Sequence, residues 1–348
     1  MPLPDLTIAI IRHHLRGYPE ECIESLAPLP AGTELLLVQA ESAAPAGAQA
    51  RVISVRRDSS RAAAKNLAVA EARGEHLLLA TADAAACPGT VERLRKFLGE
   101  AAAPAVANSS SPADSSSLAE AAELRRAGAM AGKPVVVSAR LLQENGMPRR
   151  TGFAPPSIAR ELNFGNWLWR QRRFSIRSRK PPVAGPVRRA EALHATFLMA
   201  RRETFRSVGE FAEGYRFAFE DLEWSWRARR KGIALCICPD APAYKLAPQL
   251  KGELSPEICV AIEASQLRCV CATRGAAYAR AFRAARASKS LAAWLVAAGL
   301  NRLFCGASEL LANQAAVHRA IWEMRADATP GAELPADVES CVRWETFV

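Results

Sequence analysis

The sequence is poor in the residues that build metal centres and disulfide frameworks. It has five histidines and nine scattered cysteines, with Cys236-x-Cys238 and Cys269-x-Cys271 but no paired C-x-x-C spacing. Structural zinc sites usually need such paired ligands, and an odd cysteine count in a chain this long does not indicate a disulfide scaffold. Most of the cysteines are therefore predicted to be small buried residues in a reducing compartment.

Long apolar stretches are also missing. Leu291–Leu300 is apolar, but it has only about half of the roughly 20 residues that a membrane span requires, and Arg302 follows it. The first residues lack the basic stretch and apolar core of a secretory signal, so we expect a cytoplasmic protein. The Ala- and Arg-rich C-terminal helices could pack on the domain, or they could dock on a membrane surface through basic side chains. The basic residues in question are Arg280, Arg283, Arg286 and Lys289.

Acidic residues are outnumbered by basic ones. The chain has 46 Lys and Arg against 35 Asp and Glu, which gives a net charge of +11. Such a balance favours anionic partners, among them nucleotide diphosphates, acidic membrane surfaces and nucleic acids. Nucleic acid is the least favoured of the three, because the sequence shows no motif in which aromatic and basic residues combine to bind RNA.

The first hundred residues alternate short apolar runs with helix-prone segments. Leu6–Ile11, Glu34–Val38 and Glu75–Ala80 are apolar runs that fit buried strands. Arg61–Ala72 is rich in alanine and is followed by Gly74, as expected of a helix and its end. This alternation predicts a doubly wound α/β half that binds its ligands at the carboxyl ends of the strands.

The segment from residue 209 to residue 245 carries the candidate chemistry. Glu220 and Asp221 open a helical pattern that runs to Lys231, and Gly232 stands where a left-handed helix cap is expected. A pair of acids at a helix start, beside aromatic residues and before a strand, could hold a general base in a pocket. Acids in a first helical turn are also favoured by the helix dipole alone, so the residues leave both interpretations open.

This segment resembles the family 2 glycosyltransferases of the GT-A fold, whose pattern reads G-G-F-D-E-x-F-F-x-x-x-E-D-x-D-L-x-x-R-x-x-x-x-G. The residues that carry the resemblance are Gly209, Glu210, Phe211, Ala212, Glu213, Glu220, Asp221, Leu222, Glu223, Trp224, Arg227 and Gly232. Other family motifs occur in order, at Ser60–Ala68, Thr81–Asp83, His194–Arg202 and Ser265–Arg268. Each motif is weak by itself, but their common order over roughly residues 6 to 275 is a strong signal.

The resemblance implies an α/β fold with a GT-A-like doubly wound mixed sheet and a helical C-terminal extension. The glycosyltransferase domain would cover residues 1–250, with a nucleotide-binding half at about 1–105 and an acceptor half at about 134–250, and the extension would cover 251–348. The implied activity is inverting transfer of a hexosyl or deoxyhexosyl group from a nucleotide-sugar donor. A glycan or lipid-linked acceptor would receive it, as in the synthesis of cell-envelope polysaccharides.

The resemblance also assigns roles to individual residues. Asp221 would be the catalytic base, with Glu220 beside it, and Glu223 and Trp224 would lie on the acceptor side. Trp224 and Trp226 could stack on a sugar ring, but their helical spacing also fits core positions. The nucleotide- and diphosphate-binding set would comprise Gln39, Glu41, Arg61, Lys65, Asn66, Asp83, Lys245 and Arg268.

The sequence departs from the family where a metal is expected. Thr81 replaces the first Asp of the D-x-D motif, and Lys245 replaces a metal-binding His. Asp83 would remain as a protein ligand for Mg or Mn, which phosphates and waters can complete. Alternatively, Lys245 would supply a fixed positive charge and the site would work without metal. The same losses fit a third possibility, an inactive relative that binds a nucleotide, a glycan or a protein partner without turnover.

Overall fold

A computed structural model describes residues 4–12, 19–40, 49–56, 59–102, 133–149, 151–162, 188–215, 218–246, 256–303 and 309–323. Two compact units divide the chain. The first comprises Met1–Ala154, Arg179–Gly214 and Glu220–Ala247. The second comprises Pro155–Ser178, Tyr215–Phe219 and Pro248–Val348. The domain boundary that the sequence predicts at residue 250 remains a prediction.

The first unit is built on a nine-stranded mixed sheet in the order β3-β2-β1-β4-β10-β6-β11-β5, with β8 also paired to β11. Strands β1 to β4 pair in parallel, and β10 runs antiparallel between β4 and β6. A separate pair is formed by β7 and β9. The strands are β1 (Leu6–Ile11), β2 (Thr33–Gln39), β3 (Arg51–Ser54), β4 (His76–Thr81), β5 (Ala84–Ala86), β6 (Val135–Gln143), β7 (Gly152–Phe153), β8 (Arg188–Arg189), β9 (Ala192–Leu193), β10 (Phe197–Arg201) and β11 (Ala234–Lys245).

Helices cover both faces of this sheet, because successive side chains of a strand point to opposite faces. On one face, Ile8 and Ile10 of β1 join a core with side chains of α1 and α3. On the other face, Ala9 and Ile11 join a core with α2, α5 and α6. The helices are α1 (Pro19–Ser25), α2 (Arg61–Glu71), α3 (Thr90–Ala102), α4 (Ile158–Leu162), α5 (Arg202–Val208), α6 (Glu220–Arg230), α7 (Pro256–Arg274), α8 (Ala276–Leu303) and α9 (Glu309–Glu323).

The predicted architecture, a doubly wound mixed α/β sheet followed by C-terminal helices, is therefore confirmed. Two glycines show how local chemistry supports it. Gly232 has φ +79° directly after α6, as a left-handed cap requires. Gly74 lies so close to β1 that a Cβ atom there would approach the Thr7 backbone nitrogen to 2.4 Å. A side chain at position 74 would push helix α2 and strand β4 away from β1.

The second unit contains α4 and the three long helices α7, α8 and α9, which pack on one another. Arg286 donates from Nε to both carboxylate oxygens of Glu263 at 3.0 Å and from Nη1 to Glu161 at 2.9 Å. Lys289 also donates to Glu161, at 3.3 Å. Two of the four basic residues considered for membrane contact are thus engaged in ion pairs within the unit. Among the described helices, none combines the length and apolar character needed to cross a bilayer.

Candidate active site

The carboxyl ends of two strands bring together residues that are far apart in sequence. Strand β4 ends at Thr81, and Asp83 lies in the turn that leads to β5. Strand β11 runs antiparallel to β5, with Lys245 opposite Ala84. This register places Lys245 beside Asp83, at the sheet edge where doubly wound folds bind their ligands.

Thr81, Asp83 and Lys245 form a connected group, which we call the Lys245 cluster. Thr81 Oγ1 donates to Asp83 Oδ1 at 2.6 Å, and Lys245 Nζ donates to the same carboxylate oxygen and to Thr81 Oγ1, the latter at 3.2 Å. Burial by itself raises the pKa of Asp83, but the charge and hydrogen bonds of Lys245 and Thr81 outweigh it and hold the pKa below its usual value. Asp83 is therefore ionised and Lys245, 9% exposed, is its counter-ion.

A second ion pair lies at the start of α6. Glu220 is 3% exposed and accepts a hydrogen bond from Lys65 Nζ of α2 at 2.8 Å, and Arg61 Nε lies 4.0 Å from the same oxygen. Burial raises the pKa of Glu220, but the charges of Lys65 and Arg61 outweigh it and lower the pKa. The positive charge of Lys65, predicted to face a diphosphate, is thus used to hold Glu220 ionised.

Asp221 is the next residue, and its side chain is held by backbone groups. Its Oδ1 accepts from its neighbour Leu222 N at 2.9 Å, and its Oδ2 accepts from Ala195 N at 3.3 Å. His194 Nδ1 lies 3.7 Å from Oδ2 and 2.8 Å from Thr196 Oγ1. The Asp221 carboxylate, with a side chain 13% exposed, is fixed in position and has an imidazole as its neighbour.

His194 is the site residue that the sequence reasoning missed. Desolvation of the imidazole, although 31% of the side chain is exposed, lowers its pKa to about 4; Asp221 opposes this shift, and the charges of Lys245, Lys65 and Arg61 add to it. The imidazole is therefore neutral at pH 7. A sequence signal existed, since His194 is one of only five histidines and lies in a matched family motif. The motif assigned no role to His194, because it has a glycine at this position and not an imidazole.

We expect the stability of the protein to fall as the pH is lowered from about 6.5 to about 4 because of His194. The unfolded chain binds a proton on this imidazole near pH 6.5, whereas the folded protein resists protonation until about pH 4, so acid favours the unfolded state. Urea denaturation at several pH values measures the effect. In His194→Gln the dependence over this window should be smaller, and an unchanged profile in the variant would contradict the assignment.

These groups share one electrostatic environment. Charges on Asp221, Lys245, Lys65 and Arg61 all act on His194, and Arg149 and Arg61 both act on Lys245. The region therefore combines cations able to attract an anionic leaving group with a positioned carboxylate able to accept a proton. The cations are Arg61, Lys65, Arg149 and Lys245, and the acids are Asp83, Glu220 and Asp221.

Two other predicted site residues, Asn66 and Glu223, make hydrogen bonds within the protein, and their site assignments stay predictions. The amide of Asn66 makes two hydrogen bonds with the backbone of Phe211, donating to its oxygen at 2.9 Å and accepting from its nitrogen at 2.7 Å. It thereby holds the loop before α6. Glu223 is buried and accepts from Arg227 Nε at 2.7 Å, and Arg227 in turn donates to the backbone of Val208.

Trp224 belongs to the core. It is 1% exposed, it stacks on Phe211 with ring centroids 4.9 Å apart, and Phe205 lies 5.4 Å away. Its Nε1 donates to Gly209 O at 2.9 Å. These contacts make Trp224 a core residue of the first unit, and its place on the acceptor side stays a prediction.

We expect Trp224→Ala to destabilise the first unit by about 3–5 kcal/mol, because it removes a buried aromatic and leaves a cavity. Thermal or urea unfolding followed by circular dichroism measures the change. Trp226→Ala is the matched control, since Trp226 lies on the same helix, is only half-buried and is covered by Arg230 at 4.8 Å. Equal losses in the two variants would show that Trp224 is not the core anchor.

Three predicted nucleotide ligands are not among the residues that contact Asp83, Glu220 or Asp221 in the hydrogen bonds described above. Gln39 is buried at the end of β2. Arg268 lies on α7 in the second unit. Glu41 falls outside the described residues. Their assignments remain predictions.

The residues present at the D-x-D position do not fit a divalent metal. The Asp83 oxygen that would bind the ion already accepts from an ammonium group and a hydroxyl, and a metal cation there would face the positive charge of Lys245. Within the described ranges, no group of three or more His, Cys, Asp or Glu side chains is arranged to hold an ion. The Mg or Mn that the resemblance implies therefore has no protein site at Asp83 in this arrangement.

Known proteins resemble this chain in structure but not in sequence. No family model matches it, and no curated protein matches it. Similar solved structures include GalNAc-T7 with UDP, GalNAc and Mn2+, at 14% identity and a TM-score of 0.47, covering 77% of this chain and 48% of that one. S. aureus TarS matches at 15% identity and a TM-score of 0.44, covering 86% of this chain and 43% of that one.

A TarS fragment, residues 1–349 in complex with UDP-GlcNAc, matches at 14% identity and a TM-score of 0.43, over 86% of this chain and 73% of the fragment. This chain thus spans about half the length of the GalNAc-T7 chain and less than half of the longer of the two TarS chains.

Proposed function

We propose that this protein transfers a sugar from a nucleotide diphosphate donor to a hydroxyl group of a glycan or lipid-linked acceptor, with inversion at the anomeric carbon. The observation that supports this most directly is the shared environment of Asp221, His194 and Lys245 at the carboxyl edge of the sheet. A carboxylate and a group of cations in one place are what such a transfer needs. The hexosyl or deoxyhexosyl identity of the sugar rests on the family resemblance alone.

The proposed reaction is a single displacement. The acceptor oxygen forms a bond to the anomeric carbon as its proton passes to the Asp221 carboxylate, and the bond from that carbon to the donor phosphate oxygen breaks with its electron pair going to the diphosphate. Attack from the face opposite the leaving group inverts the configuration. The cations stabilise the charge that develops on the diphosphate, and the backbone bonds to Asp221 hold the base in line.

The test is release of nucleoside diphosphate from UDP-, GDP- and dTDP-linked sugars, with water, oligosaccharides and lipid-linked sugars as acceptors. We expect one nucleotide class to be turned over, and its product to have the inverted anomeric configuration by nuclear magnetic resonance. A product that retains the donor configuration would contradict the mechanism. Absence of turnover with every donor that binds would contradict the function.

One observation favours a second candidate, a nucleotide-, glycan- or partner-binding protein without turnover. Asp83 and Glu220, two acids of the expected machinery, both form ion pairs with lysines, the first partly buried and the second buried. Such pairs can be retained for structural reasons alone. Calorimetry separates the candidates, because a binding protein would bind a nucleoside diphosphate with no turnover of the corresponding sugar nucleotide.

A further inference from the structure

We propose that the Lys245 ammonium takes the place of a divalent metal, so that the site binds the diphosphate of its donor without any metal ion. This inference rests on the proposed function and adds the way in which the leaving group is held. It starts from one contact, the ammonium of Lys245 bound to Asp83, the one acid that remains of the expected metal site.

The ammonium is fixed in direction. It carries three N–H donors. Two of its contacts are to Asp83 Oδ1 and Thr81 Oγ1, and Thr81 is itself anchored to Asp83 at 2.6 Å. Within the described part of the chain no acceptor takes the third N–H, which can therefore donate to an oxygen of a ligand. A lysine held by two acceptors has already lost its rotamer freedom, so binding a phosphate oxygen costs little further ordering.

The charge balance around the cluster also suits a diphosphate. Asp83 and Lys245 neutralise each other, so that the cluster alone has no net charge. Arg61 and Arg149 add two positive charges that act on Lys245. Lys65 does not add to them, because Glu220 neutralises it at 2.8 Å. The Asp221 carboxylate of the same region offsets one of these two charges, so one net positive charge remains. An anion that enters meets this charge, with Lys245 as the fixed hydrogen-bond donor at the carboxyl ends of β4 and β11.

The experiment is calorimetric titration of the full chain with UDP, GDP and dTDP, each in EDTA and in Mn2+. We expect one of the three to bind in EDTA with an affinity within about 2-fold of that in Mn2+, a difference that is small against the 10-fold steps by which affinities are compared. A diphosphate that binds only when Mn2+ is present would overturn the inference. It would leave the proposed transferase intact, now as a metal-dependent enzyme.

Variants then locate the effect. Lys245→Gln should weaken binding in EDTA by about 10- to 100-fold, the range expected for one hydrogen bond to a charged group. Lys96→Gln is the control, since Lys96 is an exposed lysine outside the site. Because Lys245→Gln leaves Asp83 without its counter-ion, Lys245→Met with Asp83→Asn removes both charges together and guards against a folding defect. Full affinity in that double variant would overturn the inference.

A gain-of-metal variant gives the sharpest test. Thr81→Asp with Lys245→His would place two carboxylates and an imidazole around the position that the ammonium fills. We expect its diphosphate binding to fail in EDTA and to return with Mn2+. Equal binding under both conditions would show that Lys245 is not the group that replaces the metal.

The outcomes separate the inference from the function. Metal-free binding without turnover of any sugar nucleotide would support the Lys245 site and contradict the transferase. Turnover that requires Mn2+ would support the transferase and contradict the Lys245 site. No binding of any diphosphate under either condition would contradict both.

Discussion

Replacing Asp221 with Asn is expected to reduce turnover of the sugar nucleotide by about 10²- to 10⁴-fold, the usual contribution of a general base. The amide is nearly isosteric with the carboxylate and keeps a carbonyl oxygen that can accept from Leu222 N or Ala195 N. It cannot take a proton from an acceptor hydroxyl. Nucleoside diphosphate release under saturating donor measures the loss, and binding of the diphosphate alone should change little.

The matched control is Asp240→Asn, which makes the same chemical change at an exposed position of β11. It should leave turnover and stability as they are. If Asp221→Asn keeps full turnover while it remains folded, Asp221 is not the base, and its role reduces to that of an acid in a first helical turn. If the variant loses diphosphate binding as well as turnover, Asp221 acts by shaping the site and not by proton transfer.

The strands and helices near the site were predictable because their signals are local. The apolar run Leu6–Ile11 coincides with β1. The Ala-rich segment predicted as a helix over Arg61–Ala72 forms α2, which ends at Glu71, before Gly74. Continuous apolar runs, caps and glycines act within a few residues, so one sequence suffices to read them. The role of Gly232 as a left-handed cap was predictable for the same reason.

The charge pairs were not predictable by such rules, because they depend on packing between distant segments. Lys65 and Glu220 lie 155 positions apart, and nothing near either residue indicates the other. The resemblance put both in the site, but it assigned Lys65 to a phosphate and not to Glu220. Lys245 could be foreseen at the position of a metal ligand, whereas its bond to Asp83 follows from the pairing of β11 with β5.

Trp224 shows why the pattern alone could not decide between core and ligand. It lies two residues from Trp226 on α6, and both are aromatic residues beside acids. Trp224 is the one that stacks on Phe211, whose backbone nitrogen donates to Asn66 Oδ1. A helical pattern in the sequence cannot reveal this arrangement, because Asn66 and Phe211, whose hydrogen bond holds the loop, lie 145 positions apart.

Lys65→Met is expected to destabilise the protein by about 3–5 kcal/mol, because it leaves the buried carboxylate of Glu220 without its main counter-ion. Lys65 and Glu220 are each 3% exposed, and Arg61, at 4.0 Å, is too far to replace the lost hydrogen bond. Urea denaturation at neutral pH measures the loss. Lys65→Met with Glu220→Gln removes both charges, so it should recover much of the stability.

Lys96→Met is the control for this pair, because Lys96 and Glu100 form an exposed ion pair at 3.8 Å on α3. Exposed pairs contribute at most about 1 kcal/mol, so this change should be small. A different result would revise the role of Lys65. If Lys65→Met unfolds like the wild type but binds nucleoside diphosphates about 10-fold more weakly, the lysine belongs to the ligand, as the family resemblance implies, and a charged hydrogen bond to phosphate accounts for the loss. If the stability of Lys65→Met falls while the folded variant binds nucleoside diphosphates as the wild type does, the positive charge of Lys65 stabilises Glu220 at the start of α6 and does not bind the ligand.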